Sequence, residues 1–152
     1  HQATALTIRL LDENKLLREL EPALWQEGVT AVQQWFEARL LPAGCYLEGA
    51  TPGRLRFWFG FPHADANHAV SAARAAFEVV RQWPDGEQSL AKRLGQRPQV
   101  GFALTSGEVV AVPLTVGGKT QWHLSGAAVD LGDRLALENA RFGSRLLVSA
   151  AT

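Results

Sequence analysis

Trp122–Thr152, WHLSGAAVDLGDRLALENARFGSRLLVSAAT, reads as a glycine turn followed by a helix that begins near Ala127 and a strand that begins near Arg145. Upstream lies Gly101–Val112, GFALTSGEVVAV, within two strand-like runs. These are Gln99 to Leu104 and Glu108 to Thr115, joined at Ser106-Gly107, and Gly117-Gly118 turns the chain once more. Further back, Asp65 is placed to cap a helix whose buried stripe is Ala66, Ala69, Val70, Ala73, Phe77 and Val80, with Trp83-Pro84 ending it. The polar segment Asp85 to Gln96 then reads as a loop.

The first third follows the same logic. Leu6, Ile8 and Leu10 alternate with Thr7, Arg9 and Leu11, the period of a strand. Pro22 suits a first helical turn, and Trp25, Val29, Val32, Phe36 and Leu40 recur at three- and four-residue steps until Pro42. Between Cys45 and Phe61, two strand-like runs flank the turn Thr51-Pro52-Gly53, which predicts a hairpin. The order strand, helix, hairpin, helix, hairpin, helix, strand predicts an α+β fold: a central, mostly antiparallel sheet of the ferredoxin-like split βαβ type, with helices packed on one face.

With 152 residues, 47% of them hydrophobic, the chain is expected to form one domain spanning 1–152, with its own core. Fifteen basic residues balance fifteen acidic ones, so no nucleic-acid footprint is present. No apolar run reaches the ~20 residues of a membrane-spanning helix, so direct membrane insertion is not expected. The lone Cys45 cannot form an internal disulfide and is read as a small buried hydrophobe. The absence of methionine, and a strand pattern at the first residues, suggest a domain excised from a longer protein. Twelve arginines against three lysines, with abundant alanine, suggest a bacterial source.

Four blocks in order resemble the catalytic domains of class III adenylate and guanylate cyclases. They are a first strand leading to Asp12, a strand running into Phe59-Gly60 and Pro62, the segment GFALTSGEVVAV, and the closing segment quoted above. The third is similar to the family's G-I-H-T-G-E-V-V-A-G hairpin, and the fourth to its V-N-x-A-x-R-L helix and G-x-x-L-V-S strand. The resemblance covers nearly the whole chain and implies the same fold.

It also implies where a site would lie. Family members hold two divalent metals on two aspartates, because a triphosphate attacked by a ribose hydroxyl needs cations to activate the nucleophile and neutralise charge. Asp12 matches the first, as metal ligand or as a solvated strand-end or helix-capping residue. The phosphate-cradling glycine turn that follows is replaced by Glu13-Asn14-Lys15-Leu16, and the second aspartate by Gly53. Glu48 is the one nearby carboxylate, and its odd offset along the strand points it to the opposite face unless the turn bulges. The base-reading lysine corresponds to Gly49, and its partner lies at or beside His123, a candidate for a base contact or a structural residue. The asparagine and arginine of the transition-state pair correspond to Asp130 and Arg134, which also suit an i,i+4 ion pair.

Two other constellations are read structurally. His63, Asp65 and His68 have metal-ligand chemistry but sit at a polar helix start, and Gly117-Gly118-Lys119-Thr120 lacks the first glycine of a P-loop, with Pro113 beside that slot. The resulting expectation is a catalytically degenerate cyclase-homology domain serving as a regulatory, dimerisation or interaction module in bacterial signalling, with enzyme status left open. Its expected partners are a second copy or another domain of the same system, with a nucleotide as conceivable ligand, and no nucleic acid. No cofactor is expected, and Mg or Mn only with residual activity. The expected location is cytoplasmic, free or tethered to a membrane-bound parent. The rivals are an active adenylate or guanylate cyclase with a rewired metal site, a nucleotide sensor using Arg134 without turnover, and a purely structural dimerisation unit.

Overall fold

The computed structural model describes residues 1–49, 51–142, 146–149 and 151–152. In chain order the elements are β1 (Gln2–Leu10), α1 (Glu13–Glu19), α2 (Pro22–Leu40), β2 (Tyr46–Leu47), β3 (Arg54–Phe59) and α3 (His68–Leu94). They continue with β4 (Val100–Glu108), β5 (Val110–Val116), β6 (Lys119–Ser125), α4 (Ala127–Phe142) and β7 (Leu146–Val148). Five strands form one sheet in the order β2-β3-β1-β4-β7, antiparallel except for the parallel β4–β7 pair. The strand expected near Arg145 starts at Leu146 as described, and Arg145 itself lies outside the described residues.

Strand alternation sorts the side chains into two layers. Leu6 and Ile8 of β1, Leu55, Phe57 and Phe59 of β3, and Phe102 and Leu104 of β4 share one face. They meet Phe36 and Leu40 of α2 and Ala72, Ala76, Val79 and Trp83 of α3. Each such buried Phe or Leu contributes about 1.5–3 kcal/mol relative to exposure. The other face carries Ala3, Ala5 and Trp58, which form a second cluster with Val109, Leu124 and half-buried Tyr46, Trp122 and Val129.

Helices therefore cover both faces, not one. α2 and α3 lie on the first, while α4 lies on the second, where Thr105 Oγ1 donates to the Ala128 carbonyl at 2.8 Å. Small residues let α4 come this close. A methyl group on Gly132 would sit 2.7 Å from Thr7 Oγ1, and one on Gly101 would fall on the Ala136 carbonyl oxygen.

Three local expectations also change. α3 runs through Pro84 to Leu94, so Asp85 to Gln96 is mostly helix rather than loop. Pro84 is exposed, and beyond it Gly86 opens a notch against the Trp35 indole, while Leu90 and Leu94 bury further along the same face. These contacts offset the backbone bond that proline removes. The buried stripe is accordingly Ala72, Ala76, Val79 and Trp83, with Val70 and Phe77 exposed, and the N-cap is Asn67 rather than Asp65, whose side chain accepts from the Asn67 N–H. Finally, Ser106-Gly107 is not a turn: β4 continues through it, and β5 pairs with β6 as a separate hairpin around Gly117-Gly118.

Cys45 is half-buried against the main core, donates to the Leu40 carbonyl, and has its thiol pKa pushed up to about 11 by burial. No helix among the described residues is long and apolar enough to cross a membrane.

Gly101→Ala should cost about 2–3 kcal/mol in chemical denaturation, because the clash is with backbone that cannot rotate away. A loss within ~0.5 kcal/mol, the range of ordinary surface changes, would show that α4 does not rest on β4 this closely.

Candidate functional site

The α4 face of the sheet leaves a cleft of about 600 Å³ between β3, α4 and the β5–β6 hairpin. Its lining includes Glu48, Arg54, Arg56, His123, Asp130 and Asp133. Arg54 and Arg56 reach it because β3 turns their side chains, with Trp58, away from the main core.

Arg56 is the centre of the floor, with only 4% of its side chain exposed. Its Nε donates to Thr7 Oγ1, its Nη1 to Glu48 Oε2, and its Nη2 to the Val129 carbonyl and, in a short contact, to Asp133 Oδ1. Arg54 Nη1 donates to Asp133 Oδ2 at 3.3 Å. Burial pulls the Arg56 guanidinium below its ordinary pKa, and the Asp133 carboxylate pulls it back.

Glu48 is the second anchor. Oε2 also accepts from Trp58 Nε1 at 3.2 Å, and Oε1 accepts from the Leu124 backbone N–H at 3.0 Å. Instead of pointing away from the site, it closes the cleft floor against Arg56. Nor is it the one carboxylate near the second-aspartate slot. A Cβ on Gly53 would meet the Glu13 carboxylate at 3.0 Å, and Gly53 has φ +81°.

Of the residues singled out from sequence, His123 and Asp130 line this cleft, both exposed. Arg134 is exposed on α4, and the ion pairs of the described residues do not include Asp130–Arg134; Asp133 makes the pairs instead. The expected i,i+4 pair is therefore not formed among the described residues, where both side chains are exposed. Gly49 offers no side chain and lies near Gln121.

Asp12 stands outside the cleft lining, at the end of β1. It takes the N-cap position of α1, where its carbonyl accepts from the Leu16 N–H, but its side chain makes no capping bond. Its Oδ1 is buried with no hydrogen-bond partner among the described residues. Burial, its largest influence, raises its pKa above the usual 3.8, opposed by hydrogen bonds to backbone and by Lys15.

The histidine cluster is dispersed. His68 Nδ1 shares a hydrogen bond with Thr4 Oγ1 at 2.7 Å, Asp65 Oδ1 accepts from the Asn67 N–H, and His63 is exposed. Among the described residues, no three His, Cys, Asp or Glu side chains come together as a metal-holding group.

The residues that sequence reading missed are Arg54, Arg56 and Asp133. One signal existed: R-L-R in an otherwise apolar strand places two arginines on one face at period two, and such charges need buried partners.

No family model and no curated protein matches the sequence. Solved structures do. The guanylyl cyclase Cya2 superposes with a TM-score of 0.80 at 20% identity, over 90% of this chain and 69% of its own. The adenylyl cyclase CyaB from P. aeruginosa gives 0.79 at 15% identity, over 99% and 77%. A bacterial light-regulated adenylyl cyclase gives 0.81 at 14% identity, over 98% of this chain and 43% of its own. The chain thus has the fold of class III adenylyl and guanylyl cyclase catalytic domains.

Proposed function

We propose that this chain is a catalytically degenerate cyclase-homology domain, a regulatory, dimerisation or interaction module in bacterial signalling. The observation that carries the proposal is Gly53. The slot of the second metal carboxylate holds a glycine in the left-handed region, and the Glu13 side chain already fills the space beside it. A single aspartate with one unpartnered buried oxygen does not make the donor set for a two-metal site, and among the described residues it belongs to no group of three or more metal-ligating side chains. The cleft floor adds support: its two arginines are committed to Asp133 and Glu48, and the exposed Asp130 presents a carboxylate where the family has a neutral amide.

Assembly with a second copy or another domain is part of the proposal. A fungal guanylyl cyclase domain of the same fold, from the RhoGC fusion protein of Blastocladiella emersonii, has been solved as a dimer and as a monomer. The rival, an active or nucleotide-binding cyclase with a rewired metal site, is favoured by one observation: Glu13 lies beside Gly53 and follows Asp12 directly, so a carboxylate from α1 could replace the one missing from the turn.

Incubated with ATP or GTP and Mg²⁺ or Mn²⁺, the chain should yield no cyclic product, and Gly53→Asp should not restore it. That substitution should also lower stability, since it places a side chain at φ +81° against the Glu13 carboxylate. Cyclic nucleotide formation abolished by Asp12→Ala would establish the rival.

Asp12 provides a metal-independent check. Its folded pKa is raised, so its contribution to stability is full below the unfolded value near 3.8 and is lost as pH rises through the folded value. Asp12→Asn should therefore stabilise the chain at neutral pH and give no advantage below about pH 4. A neutral-pH melting temperature that rises with Mn²⁺ in the wild type but not in Asp12→Asn would instead mark a metal site.

The floor should be structural. Asp133→Asn should cost about 2–3 kcal/mol by leaving Arg56 without its main counter-charge, whereas Asp130→Asn should stay within ~0.5 kcal/mol. Equal effects in urea titrations would contradict this assignment of the two aspartates.

A further inference from the structure

Three arginines leave one end of the sheet on the same side. Arg9 is the direct ladder partner of Arg54, and Thr7 that of Arg56, so all three guanidinium groups emerge on the α4 face. Like charges placed opposite each other on neighbouring strands disfavour the pairing unless something neutralises them.

The protein neutralises only part of this. Asp133 pairs with Arg54 and Arg56, and Glu48 with Arg56. Three positive charges against two negative leave one over, and it resides on Arg9. Among the described residues Arg9 has no ion pair and no hydrogen bond, and its Nε is buried without a partner. The nearby carboxylates do not supply one: Glu13 packs on Gly53, and neither it nor Asp12 forms an ion pair with any arginine. Buried donors in native proteins are nearly always satisfied, and a charged one left bare is costly.

We propose that Arg9 and Arg54 form a binding site for a phosphate group at this rim of the α4 face. Arg54 is one-third exposed and commits only Nη1 to Asp133, so it has donors to spare. Two guanidinium groups from adjacent strands can share one tetrahedral oxyanion through their Nη donors, which gives the unpaired Arg9 charge a counter-charge and removes the repulsion between the arginines. The site uses neither Asp12 nor the Asp130 and Arg134 positions, and it stands whether or not the domain is catalytically degenerate.

The test is calorimetric titration of the 152-residue chain with inorganic phosphate at constant ionic strength, alongside thermal melts in phosphate-free buffer. Wild type should bind saturably, and Arg9→Gln should weaken binding at least about tenfold, the scale of lost charge-assisted hydrogen bonds. Without phosphate, Arg9→Gln should melt no lower than wild type, because it removes a repulsive, unpartnered charge. Arg81→Gln, on the distant exposed face of α3, should bind like wild type. A second arm uses AMP: tighter binding than phosphate, with the same Arg9 dependence, identifies a phosphate carried on a larger molecule, and equal binding identifies the free ion. The proposal is overturned if Arg9→Gln binds phosphate as wild type does, if Arg81→Gln loses binding equally, or if Arg9→Gln melts lower in phosphate-free buffer and so reveals a protein partner.

Discussion

The guanidinium of Arg56 is the interaction on which the arrangement of the second layer depends. It is almost wholly removed from water and donates to partners on three other pieces of chain: Thr7 in β1, Glu48 after β2, and Val129 and Asp133 in α4. Glu48 extends the set to β6 through the Leu124 N–H. A buried ion pair of this kind adds little net stability over an apolar replacement, since desolvation offsets its Coulomb attraction. Its consequence is positional. Any slide of α4 along the sheet, or of the β5–β6 hairpin over it, would leave a charge buried without a partner, and that is expensive.

The glycines fit the same constraint. α4 can approach Arg56 at hydrogen-bonding distance only because Gly132 and Gly101 let it lie directly on β1 and β4. Close packing supplies the short range, and the arginine selects one register within it. On the opposite face the requirement is different: the aromatic group of Trp35, Phe36, Trp83 and Phe102 tolerates variation in composition as long as its volume is filled.

Periodicity made most of the fold legible. β1, α2 and the β2–β3 hairpin follow from alternating or helical apolar spacing with breakers at the ends, whereas the buried face of α4 is built from the small residues Ala128, Gly132 and Ala136. In α3 a local rule conflicts with tertiary contacts: Pro84 signals a stop, yet Trp83, Gly86, Leu90 and Leu94 continue a helical stripe that α2 needs as a partner. At Ser106-Gly107 a turn dipeptide lies in the middle of a strand, and only the pairing of β1 along all of β4 distinguishes it from a hairpin. The cleft was hardest to read. Family correspondence directs attention to Asp130 and Arg134, but those side chains face solvent, and the residues that shape the floor are charges at positions where the resemblance supplies no role.

A cyclase site of the expected kind is built around carboxylates whose mutual repulsion is relieved by mobile cations. Here the positive charge is covalently attached. Arg54 and Arg56 arrive on the strand that follows Gly53, and both pair with Asp133, while Arg56 also pairs with Glu48. On the proposed reading the arrangement is self-consistent, because Gly53 carries no side chain and the Glu13 carboxylate lies against the position a Cβ would take. It also explains why restoring one aspartate should fail. The new carboxylate would be crowded by Glu13 and would find the Arg54 guanidinium next to it as a counter-ion, so several charges would have to change together before a metal became the better one.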